Sequence, residues 1–239
     1  IVFSIFVFVF SAIKTKYRKK HPPKENSKNP LAVIGRFINL MKGVAMKPVD
    51  GFEDLRYEGK GFYKDAFIIM AVYTVTSCLA KLCTGFIFRN GKPLEFINWG
   101  SVILWCILPW LVISIVNYGI TTIMYGEGRL RDVIIGGAYC HVPLIFIQLP
   151  LAIVSNVLTL NEAAIYSLVE YVAYGWVILL VFFCIKGVHG FNPLKALLVF
   201  ILTALGVLAV VFLFLIVYGL ASQFVEFVVQ LAKELSYLV

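Results

Sequence analysis

Five stretches of this chain stay apolar for about twenty residues or more, a length that matches a bilayer and leaves few folds open. They run from about Ala66 to Phe88, Trp99 to Met124, Val133 to Leu158, Ala163 to Ile185 and Leu194 to Leu220. An α-helix rises about 1.5 Å per residue, so each run can cross the ~30 Å hydrocarbon core of a membrane. Backbone amides find no water there, which restricts spanning segments of this length to helices. The expected fold class is therefore all-α, a polytopic helical membrane protein with five spans over residues 66–220. Composition agrees, with 61% hydrophobic and 14% charged residues, against about 45–50% and about 25% in soluble domains. The five cysteines all fall inside apolar runs without metal-ligand spacing, so they are expected to be packing residues.

The opening run "IVFSIFVFVFSAI", residues 1–13, is too short to cross alone and is expected to be the C-terminal part of a truncated transmembrane helix. Its charges follow the apolar run, the reverse of a signal peptide. The next segment, "KTKYRKKHPPK", is the densest basic block in the chain. If it is cytoplasmic, alternation of the loops puts seventeen Lys and Arg inside and three outside, with Lys81 within a span. This is the sorting that the positive-inside rule describes. Residues 14–65 are accordingly expected in the cytoplasm and the C-terminus outside. The net charge of +8 needs no nucleic acid to explain it, and none is expected as a partner.

Within the cytoplasmic part, residues 14–30 read as a basic linker and 31–65 as amphipathic interfacial helices. Ile34, Phe37, Ile38 and Met41 follow helical spacing, with Arg36, Lys42 and Lys47 off that stripe and available to lipid or a partner. Arg129 and Arg131 in "GEGRLRD" offer the same kind of contact. Asp50 with Glu53 has capping-box spacing for a second short helix. Residues 221–239 carry a further amphipathic stripe, either prolonging the last span or turning along the surface.

Three stretches resemble the Yip family, multispanning membrane proteins that interact with Ypt/Rab GTPases, and in particular its prokaryotic members. They are "KPVDGFEDLRYEGKGFYKDAFII", "YGEGRLRDVIIGGAYCHVPLI" with Ala138, Tyr139 and Pro143, and "GWVILLVFFCIKGVHGFNPLKALLVFIL". The resemblance covers about residues 47–220. It implies a five-helix membrane domain acting as a non-catalytic adaptor or scaffold in a prokaryotic plasma membrane. A transporter complex would suit it as a partner. The eukaryotic members' acidic "DLYGP"-type motif is missing, so a Rab-type GTPase is not expected as a partner.

No catalytic, metal or cofactor signature is present: G-x-S-x-G, H-E-x-x-H and the P-loop are all absent. Ionisable residues inside spans are the remaining candidates, since charge in hydrocarbon is costly. Lys81 and Glu170 each lie about seven residues from the same end of their spans, and matched depth allows an ion pair. His141 sits near the middle of the third span, where a hydrogen-bonded packing role is expected. Pro143 and Pro150 should bend or break that span, and such backbone is tolerated where it lines a cavity. His141, Gln148, Asn117 and Tyr174 are therefore the candidate polar lining, and a transporter or channel component is the alternative function. In "KGVHGFNPLKA", Gly187 and Gly190 read as turn residues, Asn192 as an N-cap, and His189 is expected to face water.

Overall fold

The computed structural model describes residues 43–44, 48–57, 63–89 and 93–237. The expected end of a first span, the basic linker, and Arg36, Lys42 and Lys47 lie outside these residues. Within them the chain is all-helical: α1 (Pro48–Tyr57), α2 (Tyr63–Cys83), α3 (Trp99–Ile123), α4 (Leu130–Tyr139), α5 (Val142–Val154), α6 (Ala163–His189) and α7 (Pro193–Tyr237). Counting α4 and α5 as one crossing, five segments are long and apolar enough to span a membrane.

Local chemistry sets the helix ends. The Asn98 side chain accepts from the Ser101 amide at 3.1 Å and caps α3. Thr159 and Glu162 form a reciprocal capping box ahead of α6. At its other end, Gly190 takes a left-handed conformation (φ 66°) and donates its amide to the Lys186 carbonyl, closing the helix as glycine does at little steric cost. Gly187, expected in that turn, instead lies inside α6. Asp50, expected as an N-cap, lies in the first turn of α1 because the helix already starts at Pro48; the fixed φ of proline suits a first helical position.

α1 is plugged into the bundle. Phe52 and Leu55 are buried, and α1 packs on α6 and α4. The approach depends on missing side chains: a Cβ on Gly187 would stand 2.7 Å from Cβ of Phe52. On Gly136 it would stand 2.5 Å from Cys184 Sγ, so this glycine brings α4 against α6. In lipid, small residues of this kind let helices approach closely.

The same end of the bundle holds His189, which is buried, not water-facing. Its Nδ1 accepts from the Gly128 amide at 3.2 Å, and its ring stacks on Phe191 at 5.5 Å. A Cβ on Gly126 would reach within 2.6 Å of Nδ1, so bare backbone in the 125–129 loop makes the room. The residues around His189 read locally as a hydrophilic turn, but its cover comes from a loop sixty residues away.

α7 runs unbroken from Pro193 to Tyr237, so residues 221–237 continue the last span and form no separate helix. Only its first part packs, on α3 and α6. Ala196, Val199 and Thr203 are buried, and a Cβ on Gly206 would meet Val116 Cγ1 at 2.7 Å.

Substituting Gly187→Val should lower the melting temperature of the detergent-solubilised protein by several degrees, the effect of an overpacking cost of about 1–3 kcal/mol. At Gly175 an added Cβ would meet nothing within 4 Å, so Gly175→Ala should change stability by less than about 0.5 kcal/mol.

Candidate functional site

Two helical stripes face one another near the end of the bundle opposite α1. On α2, Tyr73, Ser77 and Lys81 follow one another at intervals of four; on α6, Tyr166, Glu170 and Tyr174 do the same. Residues spaced by four share a helix face. All six line one cavity of about 440 Å³. α3 contributes Ser101, Trp105 and Cys106, and α5 contributes Leu144, Ile147, Gln148 and Leu151. The volume lies within the roughly 300–1,000 Å³ typical of small-molecule sites.

The walls are tied together by polar contacts. Ser77 Oγ donates to Gln148 Oε1 at 2.9 Å, joining α2 to α5 across the cavity. At the cavity's end, the Gly85 amide donates to Ser155 Oγ at 2.8 Å and Asn156 Nδ2 donates to the Cys83 carbonyl at 2.6 Å. Gly85 is required there, since a Cβ would stand 2.8 Å from the Ser155 carbonyl oxygen. The Phe88 ring packs on Tyr166 at 4.6 Å, which places Tyr166 beside the segment that follows α2.

Lys81 and Glu170 share this cavity, but among the described residues no ion pair joins them. α2 ends at Cys83, so Lys81 lies in its last turn, where a long cation can reach the interface. Glu170 lies about two turns into α6.

Of the four expected polar lining residues, Gln148 and Tyr174 reach this cavity while His141 and Asn117 do not. Asn117 Nδ2 donates to Thr203 Oγ1 at 3.1 Å, cross-linking α3 to α7. His141 Nδ1 lies 2.9 Å from the Gly137 carbonyl, an acceptor only, which puts the proton on Nδ1. Its ring contacts Tyr73 at 5.1 Å. Both residues border a separate void of about 30 Å³ beside Trp110 and Ser114, and Trp110 Nε1 donates to the Ile134 carbonyl at 3.1 Å.

His141 stands where the third crossing breaks. α4 stops at Tyr139 and α5 starts at Val142, with the His141 amide bonded back only three residues to Ala138 at 3.1 Å. Pro143 occupies the first turn of α5, where its missing N–H is not needed. Pro150 lies inside α5 and removes the bond to the carbonyl four residues back. At the far end of the bundle, Arg131 sits with its guanidinium 5.9 Å from the Tyr63 ring centre. Arg129 is exposed just before α4.

Sequence reading missed Tyr73, Ser77, Tyr166, Ser101 and Trp105 as cavity residues. A signal existed for the first three, which repeat at intervals of four around the two intramembrane charges. Nothing local marks Ser101 or Trp105, because α3 joins the cavity only through packing.

The arrangement defines an all-α polytopic membrane protein with a broken third crossing and a polar cavity beside it. The family model of the Yip1 domain matches residues 42–217, and the chain belongs to the Yip family. No curated protein and no solved structure matches it.

A double-mutant cycle separates the two polar pairs. Asn117→Leu with Thr203→Val should give a stability coupling of about 0.6–1.7 kcal/mol, as hydrogen bonds between membrane helices do. Lys81→Met with Glu170→Gln should couple by less than about 0.5 kcal/mol. Thermal unfolding in one detergent measures both, and a larger second value would mean that the two charges pair directly.

Proposed function

We propose that this Yip family chain is a non-catalytic membrane adaptor, an accessory subunit that binds another integral membrane protein. The surplus length of α7 carries the reading. As one helix from Pro193 to Tyr237 it has 45 residues, about 68 Å at 1.5 Å per residue, against ~30 Å of hydrocarbon. Absorbing that surplus by tilt alone would take about 60°, outside the roughly 0–40° range of transmembrane helices. Beyond Gly206 the helix carries exposed Leu213, Phe214, Leu215, Phe224 and Phe227. Such a surface outside hydrocarbon is stabilised by protein cover, and a helical membrane partner offers the matching apolar face.

The proposed orientation has residues 14–65 in the cytoplasm and the C-terminus outside, in a prokaryotic plasma membrane. It is supported by the spread of basic residues: among the described residues Lys64, Arg129, Arg131, Lys186 and Lys195 lie near helix ends on the α1 side, against Lys81, Arg89 and Lys233 towards the other. The overhang of α7 then projects on the extracytoplasmic side. A transporter complex is a suitable partner; nucleic acid and Rab-type GTPases are not proposed. A second reading, a transporter or channel component, is favoured by the polar cavity, and solute flux through the purified protein in liposomes would support it.

Purification in a gentle detergent followed by mass spectrometry should recover a stoichiometric membrane partner with the native chain. The double substitution Phe224→Glu and Val228→Glu should lose that partner while leaving the chain in the membrane. Recovery of a second copy alone, or of the same partner with the doubly substituted chain, would defeat the adaptor reading. A tag on the C-terminus should be reachable from outside intact cells, and labelling only after lysis would reverse the orientation.

A further inference from the structure

We propose that the cavity between α2, α3, α5 and α6 binds a zwitterionic group, with Lys81 taking its anionic function and Glu170 its protonated amine. The inference stands on the cavity and is independent of the adaptor reading.

Glu170 is half-buried and lacks part of the solvation water would give it, while Lys81 is exposed at the same cavity; a carboxylate so placed is stabilised by a cationic partner. Here they line the same cavity from facing helices without an ion pair among the described residues. A ligand of one sign would neutralise one of them and be repelled by the other. A ligand carrying both signs compensates both, and leaves the occupied site with no net charge.

The surroundings sort the two ends. Tyr166 and Tyr174 stand one turn to either side of Glu170 on its own helix face, and Trp105 borders the cavity from α3. Aromatic faces with a nearby carboxylate favour an ammonium group. Beside Lys81 the wall is polar and uncharged: Ser77 lies one turn away on α2, and its Oγ donates to Gln148 Oε1, so no second charge competes there for an anion. Tyr166 lies beside the segment that follows α2; Glu170 is four residues inward of Tyr166 and Lys81 two residues inward of the end of α2, so the two charges differ in depth by only about 3 Å. The zwitterion therefore lies across the cavity, from α2 to α6.

Two sources present this chemistry: a free amino acid from solution, and the headgroup of a phosphatidylethanolamine-type lipid. Both can be tested with the intact purified chain. In the soluble arm, leucine is compared with isovalerate and isoamylamine, which keep its branched skeleton with one charge each, using Trp fluorescence. In the lipid arm, native mass spectrometry compares retention of phosphatidylethanolamine with that of anionic phosphatidylglycerol.

In one of the two arms the zwitterion should bind at least about tenfold more tightly than its single-charge counterpart, and that arm identifies the source. Lys81→Met and Glu170→Gln should each weaken it by about tenfold or more while the melting temperature moves by less than ~3 °C. Equal binding of the single-charge probes, binding in neither arm, or unchanged binding in both variants would overturn the proposal. The ranking of probes on the unaltered chain decides the matter even if a variant fails to fold.

Discussion

Hydrocarbon offers the backbone no hydrogen-bond partners and offers two apolar helices no hydrophobic reason to associate. The first constraint makes every long apolar run a helix. The second means that helix contacts come from close approach and from polar cross-links. Both are visible here. Gly136, Gly187 and Gly206 bring neighbouring elements to distances that a methyl group would forbid. Asn117 with Thr203, Ser77 with Gln148, and Trp110 with the Ile134 carbonyl tie helices that are otherwise held by packing alone.

The third crossing shows how the same constraint creates a place for chemistry. A break in a lipid-facing helix would strand polar backbone groups in hydrocarbon. At Cys140 and His141 the break is internal: Cys140 is fully buried, and the His141 ring occupies the gap beside Tyr73. Separating the crossing into α4 and α5 lets the two halves take different neighbours. Both halves pack on α2 and α6, but α4 also packs on α3 and touches α1, while α5 turns Gln148 towards the cavity. The two ends of the bundle thereby differ in kind. One is sealed by Phe52 and His189, and the other is lined by polar and charged side chains.

Much of the fold was legible in the chain, because span length, loop charge and capping chemistry are local properties. Asn98, Gly190 and the Thr159–Glu162 pair mark helix ends through contacts within a few residues. The site was legible in part. Lys81 and Glu170 stand out because ionisable groups are rare in spans, and Gln148 and Tyr174 because they are polar within apolar runs. Their grouping was not legible. Asn117 has the same local signature as Gln148, yet it faces α7 and not the cavity. His189 has the local look of a solvated turn residue, and only distant glycines cover it.

The solvent, the class of element and the number of crossings follow from the order of residues alone, since an apolar run long enough to match a bilayer has one way to satisfy its backbone. Which faces meet does not follow from it and is a property of the folded bundle. That choice rests on volume and distance between residues far apart in the chain: Phe52 against Gly187, Ser77 against Gln148, Lys81 across a cavity from Glu170. The overhang of α7 belongs to both, its amphipathic stripe written in the sequence and its continuity with the last span and lack of neighbours settled by the folded bundle.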